Sequence, residues 1–342
     1  MVSVEVAGGQ LAAAVWGPGP PTPPTPPTPP TVATPTAVAI PSSLAAPAAV
    51  AAPAAVAPGP VVLAVHGLTG SHLAWAPVAR WLTGAAAPDP TLVAPDLRGR
   101  GASSGLPGPH GMVAHAADLV ALLDALGVDR VSVVGHAMGG FVALVLAHRY
   151  PDRVRRLVLV DGGLPLPAPP TIDPDPVPVP DPDLDPDQGL AQLAFADPAA
   201  HGLVTTFADV EDHRRFWQAH PALQDWTPDL TAYVDYDLAG APPRMRVRTS
   251  AAAVQADLTD LRTGDAGRLA LSLLRHPTRF LRAERGMLDE PAGLYDPAEV
   301  EAWVHRLPLL TAADVAATNH YTILFSPAGA AAVAAAIRLP AP

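Results

Sequence analysis

The sequence contains no cysteine, little charge and no long apolar run, and each absence excludes a class of protein. Without cysteine, the 342-residue chain can form neither disulfides nor zinc–thiolate sites, and it cannot use a thiol nucleophile. Only 15% of the residues are charged, and the net charge of −11 without a basic patch argues against nucleic acid as a partner. No run of about 18 strongly apolar residues occurs, so we expect no membrane-spanning helix.

The first nine residues lack the basic region and the apolar region of a secretory signal, so we expect a cytoplasmic protein. Proline, in contrast, is abundant, with 44 residues. Segment 18–59 repeats Pro-Pro-Thr and then Ala-Ala-Pro, a composition that predicts a disordered insertion between two strands. Segment 167–188 is an acidic, proline-rich loop, and it has neither the glycine turn nor the closing glutamate of a calcium loop, so we predict no metal site there.

The remainder of the chain alternates short apolar runs with amphipathic segments. A β-hairpin is predicted at Val2–Val6 and 11–16. Further strands are predicted at Val61–Val65, 92–95, 131–134, 157–160, 278–282 and 314–317. Helices are predicted at 75–82, 113–126, Met138–Arg149, Pro297–Arg306 and 323–337. Apolar strands that alternate with helices predict an α/β fold with a mostly parallel central sheet flanked by helices.

The most informative segment runs from Val133 to Gly140. An apolar strand enters the turn Gly135-His136-Ala137-Met138-Gly139, and an apolar helix follows. This is the strand–turn–helix context of a nucleophile elbow, in which Gly-x-Ser-x-Gly holds a serine on a tight bend. Here the apex is Ala137, which has no atom with which to attack a substrate.

Three further motifs follow strands in a consistent order. His66-Gly67 begins one loop, residues 96–103 (Asp-Leu-Arg-Gly-Arg-Gly-Ala-Ser) form the next, and Asn319-His320 follows the last strand. With the elbow, these motifs resemble the α/β-hydrolase superfamily, specifically a lid-bearing, serine esterase- or lactonase-like branch. The resemblance covers residues 60–166 and 277–337. It implies a core formed by residues 1–163 and 277–342, with a helical lid inserted at 164–276.

The resemblance also implies roles for individual residues. Ala137 occupies the position of the nucleophile, and His320 would be the general base. The backbone N–H groups of Leu68 and Met138 would form the oxyanion hole. His66 and His136 flank the expected site, and we expect them to make structural hydrogen bonds.

The triad acid departs from the usual pattern of the superfamily. The usual aspartate register after the penultimate strand falls at Gly286. Two carboxylates remain as candidates: Asp161, before a Gly-Gly turn at the end of the strand that follows the elbow helix, and Glu284, at the end of the penultimate strand. The shorter side chain and the adjacent glycines favour Asp161, and Glu284 stays as the alternative.

Four aromatic residues of the predicted lid are candidates for the substrate pocket: Trp217, Trp226, Tyr233 and Tyr236. They could equally bury the lid against the core. The expected partner is therefore a small apolar or aromatic ester or lactone, with no nucleic acid and no membrane. No acidic ribose-binding residue follows the glycine turn, so no organic cofactor is expected, and neither is a metal.

Three functions are compatible with Ala137. The first is a serine-type carboxylic ester or lactone hydrolase in which alanine replaces the nucleophile. In the second, an enzyme with a natural alanine uses His320 as a general base, as a lyase, a cofactor-free oxygenase or a carbamate-type hydrolase. The third is a ligand-binding pseudoenzyme.

Overall fold

A computed structural model of the chain describes residues 1–17, 60–83, 89–165 and 198–339. The predicted proline-rich insertion at 18–59 and the acidic loop at 167–188 lie outside the described residues. None of the described helices combines the length and the apolar character needed to cross a membrane.

An eight-stranded sheet forms the centre of the fold. The strands are β1 (Val2–Val6), β2 (Gly9–Trp16), β3 (Val61–Val65), β4 (Thr91–Pro95), β5 (Val131–His136), β6 (Val154–Val160), β9 (Thr278–Ala283) and β10 (Leu310–Val315); β7 (Leu238–Ala241) and β8 (Arg244–Val247) form a separate hairpin. The strand order in the sheet is β1-β2-β4-β3-β5-β6-β9-β10. Only β1 with β2 and β2 with β4 pair in antiparallel fashion, so the predicted mostly parallel sheet is confirmed.

The described helices are α1 (Ala76–Leu82), α2 (Met112–Ala125), α3 (Met138–Arg149), α4 (Val210–Gln218), α5 (Pro228–Asp237), α6 (Ala251–Thr263), α7 (Ala266–Ser272), α8 (Pro297–Arg306), α9 (Thr322–Phe325) and α10 (Pro327–Arg338). Short 3-10 turns occupy His72–Trp75, Gly101–Ser103, Pro151–Arg153 and Pro198–Leu203.

Both faces of the sheet are covered, which explains why its central strands are apolar throughout. On one face, Leu63 and Val133 pack in a cluster with residues of α2 and α3, such as Leu122. On the other face, Val134 packs with residues of α1 and α10, such as Val333. Each layer removes a full strand face from water, and this burial is the main force that holds the sheet and its helices together.

The sequence predicted a helical region between β6 and β9, but the structure also contains strands there. Helices α4 to α7 are accompanied by the hairpin of β7 and β8, whose turn is Pro242-Pro243. In addition, Ala270 and Leu271 of α7 belong to the same hydrophobic cluster as α2 and α3. The end of the inserted region therefore packs on the core helices.

Two predicted elements differ from the structure by more than a shift of a few residues at one end. The last strand lies at Leu310–Val315 instead of 314–317, because it is the edge strand and alternates buried and exposed residues without a continuous apolar run. The closing helix is two helices, because Pro327 begins a new helix that Ser326 caps through its hydroxyl, which accepts the N–H of Gly329 at 3.0 Å.

Candidate active site

Ala137 is the apex of a tight turn between β5 and α3. Its backbone has φ of 52° and ψ of −121°, a conformation that costs a residue with a Cβ on the order of 1–3 kcal/mol. The turn is held by its neighbours: the N–H of Ala137 donates to the carbonyl of Val160, and the N–H of Gly140 donates to the carbonyl of Ala137. The predicted elbow geometry is therefore present around a residue that cannot attack.

The glycines of the elbow are required by close backbone approach. A Cβ on Gly135 would lie 2.2 Å from the carbonyl oxygen of Gly139, and a Cβ on Gly139 would lie 2.1 Å from that of Val65. A Cβ on Gly162 would lie 2.2 Å from the carbonyl oxygen of Ala137. No side chain fits at these distances, so the glycine spacing is explained by packing alone.

His320 and Asp161 lie together beside this apex. Nδ1 of His320 is 2.7 Å from Oδ2 of Asp161, and the Asp161 carboxylate is fully buried. The other oxygen of Asp161 accepts the N–H of Ala283 at 3.0 Å. Because an ionised carboxylate only accepts, Nδ1 of His320 carries a proton, which leaves Nε2 of the neutral ring as a base.

The alternative acid, Glu284, lies elsewhere. Its side chain is exposed and accepts the backbone N–H of Ala317 at 2.7 Å, and so it stabilises the loop that follows β10. Between the two carboxylates of the sequence analysis, the structure brings only Asp161 to His320.

His66 and His136 make buried hydrogen bonds to backbone groups. Nε2 of His66 accepts the N–H of Leu97 at 2.9 Å, so its Nδ1 donates to the carbonyl of Gly67 at 2.8 Å. Burial lowers the pKa of His66 to about 4. Nε2 of His136 donates to the carbonyl of His320 at 2.8 Å, and burial, together with the nearby His320, lowers the pKa of His136 well below its usual value. Both rings are therefore neutral structural groups near neutral pH.

The two predicted oxyanion donors belong to the start of α3 and to the loop after β3. Met138 is the first residue of α3, where a backbone N–H has no partner within its own helix. Leu68 follows the His66-Gly67 turn, and its carbonyl accepts Nε of Arg100 at 2.9 Å. A Cβ on Gly67 would be 3.1 Å from that of Ala137, so this loop lies directly against the apex.

Arg100 extends this contact into the inserted region. Its guanidinium forms an ion pair with Asp257 of α6, and both side chains are fully buried. Asp257 also accepts Nε2 of His115 at 2.9 Å and the N–H of Gly111 at 2.6 Å. Burial opposes its ionisation, but His115, Arg100 and the Gly111 N–H together lower the pKa of Asp257 to about 2. The Leu68 loop is thus tied to α6 through Arg100.

A cavity of about 90 Å³ opens onto Ala137 and His320. Of the four aromatic candidates, only Tyr233 lines it. The prediction that the others would do so is not supported, since they pack or hydrogen-bond elsewhere. Trp217 packs edge-to-face against Tyr233, at 6.2 Å between ring centroids. The indole of Trp226 donates to the hydroxyl of Thr231, and the hydroxyl of Tyr236 donates to Asp96 at 2.6 Å.

Five apolar or aromatic residues that line this cavity were not predicted from the sequence. They are Ala74, Met287, Tyr321, Leu324 and Phe325. Three of them lie within five positions after His320. The apolar residues directly after a predicted general base could therefore have been predicted to line the cavity. Among the described residues, no group of three or more potential metal ligands occurs.

Known proteins show the family and the fold to which this chain is similar. A sequence model described as alpha/beta hydrolase fold matches residues 60–294. A Caulobacter segnis protein named "Putative carbamate hydrolase RutD" is 43% identical over 104 residues, which cover 30% of this chain and 38% of that protein. The chain therefore matches little more than a third of the length of this curated relative.

Two solved structures illustrate the likeness of the whole fold. The thioesterase domain from the curacin biosynthetic pathway has a TM-score of 0.63 at 20% identity, covering 98% of both chains. An esterase from Thermogutta terrifontis has a TM-score of 0.58 at 19% identity, covering 98% of this chain and 95% of that one. At this level of identity the likeness concerns the fold alone.

Proposed function

The chain belongs to the α/β-hydrolase fold family, and on this basis we propose that its site is that of a serine-type carboxylic ester or lactone hydrolase without its attacking oxygen at residue 137. The observation that carries the proposal is the hydrogen bond between His320 and the buried Asp161, beside an apex that keeps φ of 52°. A buried carboxylate and a strained turn are both costly, and their presence at one site favours a catalytic origin.

With a serine at the apex, the residues would act in a defined sequence. The hydroxyl oxygen would attack the ester carbonyl while Nε2 of His320 accepts its proton. The N–H groups of Leu68 and Met138 would stabilise the oxyanion of the tetrahedral intermediate. His320 would then give its proton to the departing alcohol, or to the ring alkoxide of a lactone, and water would hydrolyse the acyl-enzyme by the same steps.

Asp161 would hold the base in the required state throughout. Its carboxylate fixes the tautomer of His320 with the proton on Nδ1, and it stabilises the imidazolium that forms during attack. The fully buried position of Asp161 strengthens this interaction, because little water screens it.

With alanine at the apex, no acyl-enzyme can form. The oxyanion donors and the cavity would still bind an ester, and His320 could assist the slow attack of water. Enzymes that lose a member of a triad keep about 10³–10⁴-fold catalysis over water from such remaining groups. The chain as it stands is therefore proposed to bind its ester and to turn it over slowly.

The test restores the nucleophile with Ala137→Ser and compares hydrolysis of short p-nitrophenyl esters and lactones with that of the parent chain. We expect kcat to rise on the order of 10³-fold or more, since the nucleophile and the base act as one unit. The matched control is the double variant with His320→Ala, which should lose this gain. No rise in the single variant would contradict the proposal. A parent chain that is as active as Ala137→Ser, and that loses this activity with His320→Ala, would instead favour direct base catalysis.

A further inference from the structure

A second concavity of about 470 Å³ lies on the surface beside the site. Helix α1 contributes Trp81 and Arg80 to it, the beginning of α5 contributes Asp229, and the end of α9 contributes Phe325. We call this concavity the α1–α10 groove. It lies where the core and the inserted region meet.

The cavity at Ala137 is small, with a volume of about 90 Å³. Sites for small organic molecules usually measure about 300–1,000 Å³, a range that the α1–α10 groove falls within. A long ester whose carbonyl reaches Ala137 would therefore extend beyond the inner cavity.

Phe325 lines both the inner cavity and the α1–α10 groove. Its side chain is buried, and its ring centroid lies 5.1 Å from that of Tyr233. Phe325 follows His320 by five residues, at the end of the short helix α9. The two concavities therefore meet at one aromatic side chain next to the base.

The lining of the groove combines aromatic and aliphatic side chains with two hydroxyl side chains and one ion pair. Trp81 is 52% exposed, although it is a large apolar residue, and Pro77 and Pro327 also line the groove. The charged groups there, Arg80 and Asp229, pair with each other across the groove and so cancel. An exposed aromatic surface beside a neutralised ion pair favours a hydrocarbon chain over an ionic ligand.

We propose that the α1–α10 groove binds the apolar tail of an elongated ester, and that Phe325 controls passage of this tail from the inner cavity. The proposal rests on the proposed ester hydrolysis for the identity of the head group at Ala137. It adds the substrate class, an uncharged ester with a long apolar tail, and it assigns specificity to Phe325 and Trp81.

The parent chain permits a direct binding test, because it lacks the nucleophile that would consume the ligand. Octyl acetate and ethyl octanoate are isomers that carry the long chain on opposite sides of the ester, and ethyl acetate is the short reference. We expect calorimetry to show that at least one isomer binds on the order of tenfold more tightly than ethyl acetate. Trp81→Ala should remove most of this difference, whereas Leu269→Ala, at a 49% exposed leucine on α7, should keep it.

Variants at Phe325 give effects of opposite sign. Phe325→Ala should raise the preference for the long ester several-fold, because it widens the passage, and Phe325→Trp should lower it. In the Ala137→Ser background, the same changes should appear in the ratio of kcat/KM between the preferred isomer and ethyl acetate.

The proposal is overturned if Trp81→Ala keeps the same preference for a long ester over ethyl acetate as Leu269→Ala. It is also overturned if the two Phe325 variants change this preference in the same direction. Failure of the proposed function is distinguishable from this result. It would appear as an Ala137→Ser chain that hydrolyses none of the three esters, while the tail-dependent binding to the parent chain remains.

Discussion

Oδ2 of Asp161 lies 2.7 Å from Nδ1 of His320, although 159 residues separate them in the sequence. Asp161 directly follows β6 and has φ of 45°, an uncommon conformation for a residue with a side chain, and its N–H donates to the carbonyl of Leu281 at 2.8 Å. The neighbouring strand therefore holds Asp161 in the orientation that reaches His320.

Asp161→Asn in the Ala137→Ser background should lower kcat by about 10⁴-fold, because an amide no longer fixes the tautomer of His320. Steady-state hydrolysis of p-nitrophenyl acetate measures the effect. Glu284→Gln is the matched control, since Glu284 accepts the N–H of Ala317 in the loop after β10, and it should leave kcat nearly unchanged. A large loss of kcat in Glu284→Gln, with little loss in Asp161→Asn, would show that Glu284 is the acid.

Asp257→Asn should lower the free energy of unfolding by about 3 kcal/mol, because it leaves the fully buried Arg100 without its counter-charge. Chemical denaturation gives the value. Asp265→Asn removes a partner of the same type from Arg268 at the surface, where the side chains are 60% and 87% exposed, and should produce no measurable change. Equal effects of the two substitutions would contradict the role of burial.

The buried His66 should make the protein less stable as pH falls from 6.5 to 4. Its pKa is lowered to about 4 in the folded state, so between these values the unfolded chain binds more protons. The contribution of His66 to the free energy of unfolding is fully present above pH 6.5. It amounts to about 3 kcal/mol, at about 1.4 kcal/mol for each pKa unit.

The measurement is urea denaturation of the parent and of His66→Gln across this pH range. Burial raises the pKa of Asp237 to about 7, so this group lowers the stability of the fold as pH rises from 3.8 to 7. Asp237 is present in both proteins. The difference between the two curves therefore isolates His66. Parallel curves would show that His66 does not titrate differently in the folded and unfolded states.

Gly139→Ala should destabilise the fold by about 3 kcal/mol, because the new Cβ would lie 2.1 Å from the carbonyl oxygen of Val65. The helix propensity of alanine, which is worth about 1 kcal/mol over glycine, is too small to offset this clash. Gly105→Ala is the control, since a Cβ there meets no atom within 4 Å. Thermal unfolding should separate the two variants, and equal melting temperatures would contradict the packing argument.

Much of the fold could be predicted from short-range patterns. The bounds predicted for α3 and α8 are those of the structure, because an apolar helix after the glycine turn and an Asp-Pro start mark them locally. The edge strand β10 and the hairpin of β7 and β8 were missed or misplaced. Neither has the continuous apolar run of a buried strand, and their stability depends on neighbours that the sequence does not identify.

The candidate site could be predicted only in part, for a related reason. Ala137 and His320 follow strands in recognisable motifs, whereas the choice between Asp161 and Glu284 depends on which strand ends face His320. The cavity wall depends on packing between distant segments, and so Tyr233 could not be distinguished from Trp217 by sequence spacing. The pairing of Arg100 with Asp257 of the inserted region was beyond local patterns for the same reason.

The central claim is that the site would activate a serine at position 137, and covalent labelling tests it most directly. A fluorophosphonate forms a bond from an activated serine oxygen to phosphorus and releases fluoride, which intact-protein mass spectrometry detects as one added phosphonyl group. We predict one adduct per chain for Ala137→Ser, and none for the parent or for Ala137→Ser with His320→Ala. An unlabelled Ala137→Ser chain, or equal labelling with and without His320, would contradict the account.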